Sequence, residues 1–543
     1  MSFCRSLPGA LVSLVVLSTS MTACLTPEEY LAQADEQSYA LIDARRAALF
    51  EEGGGFTIEP PADSLRQRIL RGEWDGSREL DLLECLDIAA ENSREYQSRK
   101  ESLYLSALDL TLARWRLSNQ PFATLGAGAD GTPGSASDRN VDADAGLTRV
   151  LGSGASIVTS IGSSLFRVVT TGDGWDVVSN FNLSITQPLM RGAGRKITLE
   201  PLTQAERNLV YQARDFERFR RTYAVQVATQ VYRLLLALDV LDNQIRNYEN
   251  LAELRERNDA YADAGRMSRI EADQARQDEL RSELDLVAQR AALARQFDNF
   301  KLFLGLPIDA DLSLDRSEYD RIVTEDDVLE NIDLMRAVEI ALLERLDFRT
   351  TVDQFEDSRR RVGISRDAVR AGLGLDASVG SSTVDSGGTN FDATGTTWSA
   401  GLNFDLPVNR IPERNAYRSS LITLQVARRN VEQDSDQIEA NVRDAVRVSV
   451  NARRSYEIQL GATQLAERRV ESSRLNLEGG EASTRDVLES EEALRNARNS
   501  KTTALINYTL ARLDLYLELE ALRVSETGIG FEPDLLERVR SAQ

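Results

Sequence analysis

Two stretches of this chain follow one plan: a strand of alternating residues ends at a proline and runs into a long helical pattern. The first is VVSNFNLSITQPLMRGAGR at 177–195, and the second is WSAGLNFDLPVNRIPER at 398–414. In the first, Val177, Ser179, Phe181, Leu183 and Ile185 alternate with Val178, Asn180, Asn182, Ser184 and Thr186. In the second, Trp398, Ala400, Leu402, Phe404 and Leu406 alternate with Ser399, Gly401, Asn403 and Asp405. Successive side chains on a strand point to opposite faces, so each stretch has one apolar and one polar face. Pro188 and Pro407 mark the change from a period of two to a helical period.

The likeness extends well beyond these junctions. LDIAAENSREY at 86–96 matches VEIALLERLDF at 338–348, an offset of 252. LSITQPL at 183–189 matches LNFDLPV at 402–408, an offset of 219, and GRMS at 265–268 matches GEAS at 480–483, an offset of 215. Each half therefore reads helix, strands, long helix, glycine break, helix, which is an internal repeat. The drop in offset from 252 to 219 places 33 additional residues, about one hairpin, in the first strand region.

In chain order, Pro27–Phe50 and Leu65–Leu70 read as helical, followed by one helix from Arg78 to Leu117. Strands are expected near 122–130, 143–150, 155–169 and 177–188. A helix over 196–264 follows, with apolar residues spaced close to 3.5 (Phe216, Phe219, Tyr223, Val227, Val231, Leu234), which is a coiled-coil seam. It would be about 100 Å long at ~1.5 Å per residue. A second helix runs to 304, and 308–324 is a link. The second half repeats the order: helix from Glu325 to Arg370, strands within 373–406, helices at 414–478 and 485–523, and a tail from 524.

Composition narrows the chemistry. With no histidine, a Ser-His-Asp triad and a histidine-based metal site are excluded, and no cofactor or metal is expected. A net charge of −22 argues against a nucleic-acid partner. The start of the chain, Arg5 then LPGALVSLVVL then STSMTAC, has the plan of a secretory signal over residues 1–23. Cys24 after Met21-Thr22-Ala23 resembles a bacterial lipobox; the alternative is an ordinary signal with a coincidental cysteine. Cys85, inside an apolar helical pattern, reads as a buried small hydrophobe. No later run of 18 apolar residues was found, so any membrane crossing is expected from strands.

Strands with an apolar outer face suit a lipid-exposed barrel, but open sheet edges cannot face lipid. One chain offers about four to six strands, whereas small membrane barrels need at least ~8, so several copies must close one barrel.

At this point the chain resembles the TolC-type outer membrane efflux proteins, in their lipoprotein variety. The duplicated LDIA-type helix, the QPLMRGAG junction and the turn GEASTRDVLESEEAL at 480–494 carry the resemblance, over two repeats at 80–307 and 325–523. It implies an α+β membrane protein: a long α-helical coiled-coil tunnel continuous with a β-barrel formed jointly by a homotrimer. It further implies an outer-membrane location, a lipid anchor at Cys24, and docking with a periplasmic adaptor and an inner-membrane transporter. The implied function is the passive exit duct of a tripartite efflux or type I secretion system, for small molecules or polypeptides.

The resemblance also points to the helix-helix breaks as a periplasmic aperture. Asp259, Asp263, Glu271, Glu478, Glu481 and Asp486 lie nearby, with Arg266, Arg269 and Arg485 within pairing reach; the alternative for each is an ordinary solvated or locally paired charge. Asn180, Asn182, Ser184, Thr186, Asn403 and Asp405 are expected to face the barrel lumen, and Phe181, Leu183, Leu402 and Phe404 to face lipid. Residues 24–79 form an N-terminal segment able to lie along another element. Other readings are a lipid-anchored periplasmic coiled-coil scaffold or adhesin, a soluble β-layer, and a carboxylate-only hydrolase. The scaffold leaves two hairpins at matching points of a repeat unexplained.

Overall fold

The computed structural model describes residues 26–50, 55–74, 76, 78–131, 137–168, 176–324, 333–383, 391–479, 481–525 and 528–531. Cys24 and the signal segment 1–23 lie outside the described residues, as do 325–332 of the link and 532–543 of the tail. In chain order the elements are α1 (Pro27–Phe50), α2 (Leu65–Leu70), β1 (Glu79–Leu80), α3 (Leu82–Asn92) and α4 (Arg94–Trp115). Strands β2 (Gln120–Gly131), β3 (Ser137–Val150), β4 (Ser156–Val168) and β5 (Asp176–Pro188) follow. Next come α5 (Arg195–Thr198), α6 (Glu200–Asp263), α7 (Arg269–Leu304), β6 (Ser313–Leu314) and α8 (Ser317–Thr324). The second half has α9 (Leu334–Glu344), α10 (Leu346–Ala368), β7 (Gly372–Thr383), β8 (Phe391–Asp405), α11 (Ile411–Gly479) and α12 (Thr484–Glu518). Strands β9 (Leu522–Ser525) and β10 (Gly528–Phe531) end the described chain.

The repeat is carried into three dimensions. Helices α3 and α9 have equal lengths of 11 residues, and both end where one residue turns extended: Ser93 at ψ 130° and Arg345 at ψ 121°. Those two residues are separated by the same 252 positions that relate the sequence motifs. Strands β2 and β7 begin at that separation too, at Gln120 and Gly372. The additional residues of the first half therefore fall between β2 and β5, where they form the paired strands β3 and β4.

Several expected boundaries change, among them the helix expected from Glu325 to Arg370, which Arg345 parts into α9 and α10. The single helix over 78–117 is two helices, because Ser93 interrupts it, and a capping box between Asp81 and Glu84 starts α3 after the short β1. The link at 308–324 contains β6, which pairs parallel with β1 (Glu79 with Ser313, Leu80 with Leu314), and helix α8. The last helix stops at Glu518 and not Arg523: Glu520 takes a φ of +56°, which turns the chain into the β9–β10 hairpin.

The chain divides into two compact units. The first comprises residues up to Phe56, Ser102–Ala213 and Val352–Asn430. It holds one antiparallel sheet in the order β2-β3-β4-β5-β7-β8. Helix α1 packs in this unit through Ile42, which is fully buried, and through Tyr39, whose ring lies 5.6 Å from that of Tyr104. The Tyr104 hydroxyl donates to Asp35 at 2.6 Å.

The second unit comprises Thr57–Glu101, Arg214–Thr351 and residues from Val431 onward. Its core draws on both copies of the repeated motif: Cys85, Ile88 and Ala89 from one, and Val338, Ile340 and Ala341 from the other. Tyr96 sits among Phe216, Phe219 and Tyr223, with ring centroids 5.7–5.8 Å away. Cys85 is fully buried as expected, and burial pushes its thiol up to about 12. Helix α6 is long and apolar enough to cross a membrane by length and composition, which the sequence reading did not find. The same helix delivers Val225, Val227, Val231, Leu234 and Leu235 to this core, so a soluble packing role accounts for its apolar face.

Candidate functional site: a two-faced sheet and two helical turns

The sheet register sorts residues by face. Phe181 lies opposite Ile161 on β4 and Ser381 on β7; Leu183 lies opposite Thr159 and Val379. Leu402 and Trp398 on β8 lie opposite Leu375 and Val379, and Phe404 opposite Leu373. Ala123 and Leu125 on β2 continue the row through Ala145 and Ala143 on β3. All these residues share one face. Its large side chains are open to the surroundings: Trp398 is 78% exposed, Leu402 69% and Leu125 69%. Among the described residues nothing in this unit covers that face, so it is an exposed apolar patch of the kind that marks an interaction surface.

The other face collects Asn180, Asn182, Ser184, Thr186, Asn403 and Asp405, the six residues assigned to one side from sequence. Among the described side chains it also carries three carboxylates that sequence reasoning missed: Asp142 and Asp144 on β3, and Asp376 on β7, opposite Thr186. The signal for Asp142 and Asp144 was present in the alternation of NVDADAGL at 140–147, and that for Asp376 in LGLDASVG at 373–380. Glycine concentrates on this face too. Asp144 and Asn180 close over Gly162 from both sides, and the Phe122 ring lies over Gly146.

The six strands run 12 to 15 residues each. About 9–11 residues suffice for a tilted strand to cross a bilayer.

The junction after β5 is locally specified. The Leu189 N–H donates to the Leu373 carbonyl at 2.7 Å, extending the ladder one step past Pro188. The chain then turns through Gly192 and Gly194, and the Gly194 N–H donates to the Ser153 carbonyl at 3.0 Å. Gly194 has a φ of +98° and Gly154, in the opposing loop, +94°, a region that glycine enters at little cost. A Cβ on Gly154 would meet the Gly192 carbonyl and the Pro188 ring at 3.0 Å. The Gly192 N–H donates to Asp367 at 2.8 Å, and Arg191 pairs with Asp405 at 2.8 Å.

Beyond the junction, helices α6 and α10 are locked by one carboxylate. Asp357, whose side chain is 4% exposed, accepts from the Tyr211 hydroxyl at 2.7 Å, from Arg360 at 2.7 Å and from Gln204 at 3.1 Å, and it pairs with Arg207. Burial alone would raise its pKa, but these donors hold it below the usual carboxylate value.

The two turns separating α6 from α7 and α11 from α12 hold the remaining sequence candidates. Asp263 pairs with Arg269 across the first turn at 2.6 Å, and Asp259 pairs with Arg255 at 3.2 Å. Ser268 caps α7 by accepting from the Glu271 N–H. In the second turn Asp486 forms a capping box with Ser483, and the Ser483 N–H and hydroxyl lower its pKa. Arg485 pairs with Glu489 at 3.0 Å, one turn along its own helix. The side chains of Arg266, Glu271 and Glu481 have no polar partner among the described residues, and that of Glu478 lies outside them.

Comparison with known proteins follows the same outline. Residues 337–519 match the family model for the outer membrane efflux protein. No curated protein matches the chain. Among solved structures, CusC superposes with a TM-score of 0.60 at 15% identity, covering 85% of this chain and 98% of that one. The CmeC outer membrane channel of Campylobacter jejuni gives 0.60 at 15%, covering 92% and 94%. The open MtrE outer membrane channel of Neisseria gonorrhoeae gives 0.58 at 14%, covering 81% and 88%. At these identities the likeness is one of fold.

Proposed function

We propose that this chain, matched over residues 337–519 to the outer membrane efflux proteins and sharing the fold of solved outer-membrane channels, is the outer-membrane exit channel of a tripartite efflux or type I secretion system. The observation that carries this reading is the two-faced sheet. One face is apolar and unpartnered, the other is polar and acidic, and both halves of the repeat feed it at matching positions. A soluble β-layer would expose Trp398 and Leu402 to water, and a scaffold or adhesin has no use for the second face.

In this reading three copies close one barrel. The apolar face meets lipid, with Phe181, Leu183, Leu402 and Phe404 in it. The polar face lines the lumen, with Asn180, Asn182, Ser184, Thr186, Asn403 and Asp405. Carboxylates around a shared axis attract cations and repel anions. Solute moves down its gradient, and a periplasmic adaptor with an inner-membrane transporter selects the cargo. Cys24 is the acylation site that adds a lipid anchor, and the helical part stands in the periplasm.

The two turns form the aperture in this reading. Asp259, Asp263, Asp486, Arg269 and Arg485 already serve local pairs or caps, which leaves Glu271, Glu481 and Arg266, together with Glu478, whose side chain is outside the described residues, as the charges available to a pore axis or a neighbouring copy.

The test is solute uptake by proteoliposomes. Full-length protein purified from carbonate-washed outer membranes is expected to admit small sugars and to lose selectivity for cations in the double variant Glu271→Ala, Glu481→Ala. Vesicles that hold the inserted protein and stay impermeable to every solute tested would contradict the reading.

A further inference from the structure

The six-stranded sheet is open at both edges. Among the described residues, strand β2 pairs only with β3, and β8 only with β7. The unpaired backbone groups of β2 and β8 lie beside an apolar face, where neither lipid nor the rest of the described unit supplies a hydrogen bond. Another strand must therefore satisfy each edge.

The two edges complement each other. All five pairings in the sheet are antiparallel, so β2 and β8 run in opposite directions. Their lengths, 12 and 15 residues, are matched. On β2 the apolar face belongs to odd-numbered residues (Ala123, Leu125, Ala127), and on β8 to even-numbered ones (Trp398, Ala400, Leu402). A seam that keeps the apolar face continuous pairs odd β2 positions with even β8 positions. A shift of one residue would turn the whole face around.

We infer that β2 of one copy pairs with β8 of the next and that, with three copies, the barrel has eighteen strands, six from each chain. The inference rests on the trimeric channel proposed above and adds its strand number. The second half of the repeat contributes one hairpin, β7–β8; the first half contributes β2 and β5 with β3–β4 inserted between them. Without that insertion each chain would supply four strands, and three chains twelve.

The insertion widens the bore. At ~4.8 Å between strands and ~40° of tilt, eighteen strands enclose a backbone cylinder about 36 Å across, and twelve about 24 Å. Small residues keep the interior open: Gly126, Gly146, Gly162, Gly374, Gly380 and Gly401 all fall on the polar face. The barrel therefore passes solutes as broad as a small folded polypeptide and leaves size selection to the helical part.

Disulfide cross-linking in outer membranes tests the seam. The full chain carries Cys85→Ala, with Ala123→Cys on β2 combined in turn with cysteine at each position from Thr396 to Phe404. Oxidation is expected to give a covalent ladder ending at three chains. It should form with even-numbered β8 positions near one level and fail with Ser399, Gly401 and Asn403. Cross-links within a single chain, ladders beyond three, or no cross-link at any position would overturn the inference. End-on imaging of the unmodified detergent-solubilised oligomer gives an independent reading: eighteen strands support it, and twelve contradict it. Intact cross-links in a protein that conducts nothing would count against the proposed function and leave the seam standing. Conduction without the seam would do the reverse.

Discussion

The Arg191 guanidinium lies 2.8 Å from the Asp405 carboxylate, joining the strand-helix junction of the first half to the last strand residue of the second. Arg191 is 35% exposed and Asp405 56%, so water screens the pair. A double-mutant cycle with Arg191→Ala and Asp405→Ala, read by urea unfolding of the solubilised protein, is expected to return a coupling of at most about 1 kcal/mol. The contact aligns the two junctions and contributes little to overall stability.

Asp357 behaves differently because it is buried among its donors. Removing one partner of a buried pair costs about 3–5 kcal/mol, so Asp357→Ala is expected to destabilise by that order and Arg191→Ala by far less. Its folded-state pKa is depressed below the unfolded value. The stability it contributes is therefore fully present above the unfolded value of ~3.9 and is lost as pH falls through the lower folded value. Unfolding measured from pH 6 down to pH 2 should show a shallower acid limb in Asp357→Asn than in the parent.

How much of this was readable beforehand depended on the range of the interaction. The faces of Phe181, Leu183, Asn180 and Asn182 followed from a period of two, which needs only neighbours in sequence. The repeat followed from matching motifs, and Ser93 and Arg345 bear it out as equivalent helix breaks. The breaks themselves were missed, since an extended residue between two good helical patterns leaves no trace in periodicity. The β1–β6 pairing was missed because it joins Glu79 to Ser313, and two residues carry no strand pattern. The charges beside the two helical turns were legible in the sequence, but which of them pair locally was not. Pairs such as Asp263 with Arg269 depend on turn geometry, not spacing.

Face assignment predicts unequal costs for neighbouring residues. Leu183→Arg places a cation in the apolar face and is expected to cost about 2–4 kcal/mol if that position lies near the bilayer midplane. Ser184→Arg, one residue on, points to the polar face and is expected to cost much less. The yield of folded, heat-modifiable oligomer in outer membranes compares the two directly.

Charge on the polar face should set ion preference. Asp142→Asn together with Asp144→Asn removes two carboxylates per chain and, among the described side chains, leaves Asp376 and the Arg191-paired Asp405. The reversal potential in a salt gradient is expected to move toward non-selective by several millivolts or more, with the oligomer intact. An unchanged reversal potential would mean that selectivity is decided elsewhere along the path.

The central claim, that copies of this chain enclose a conducting pore through a membrane, is tested most directly by single-channel recording. Purified full-length protein added to a planar lipid bilayer should insert and give discrete, cation-preferring conductance steps of uniform size. A native protein that stays soluble without detergent and never alters bilayer conductance would contradict the account.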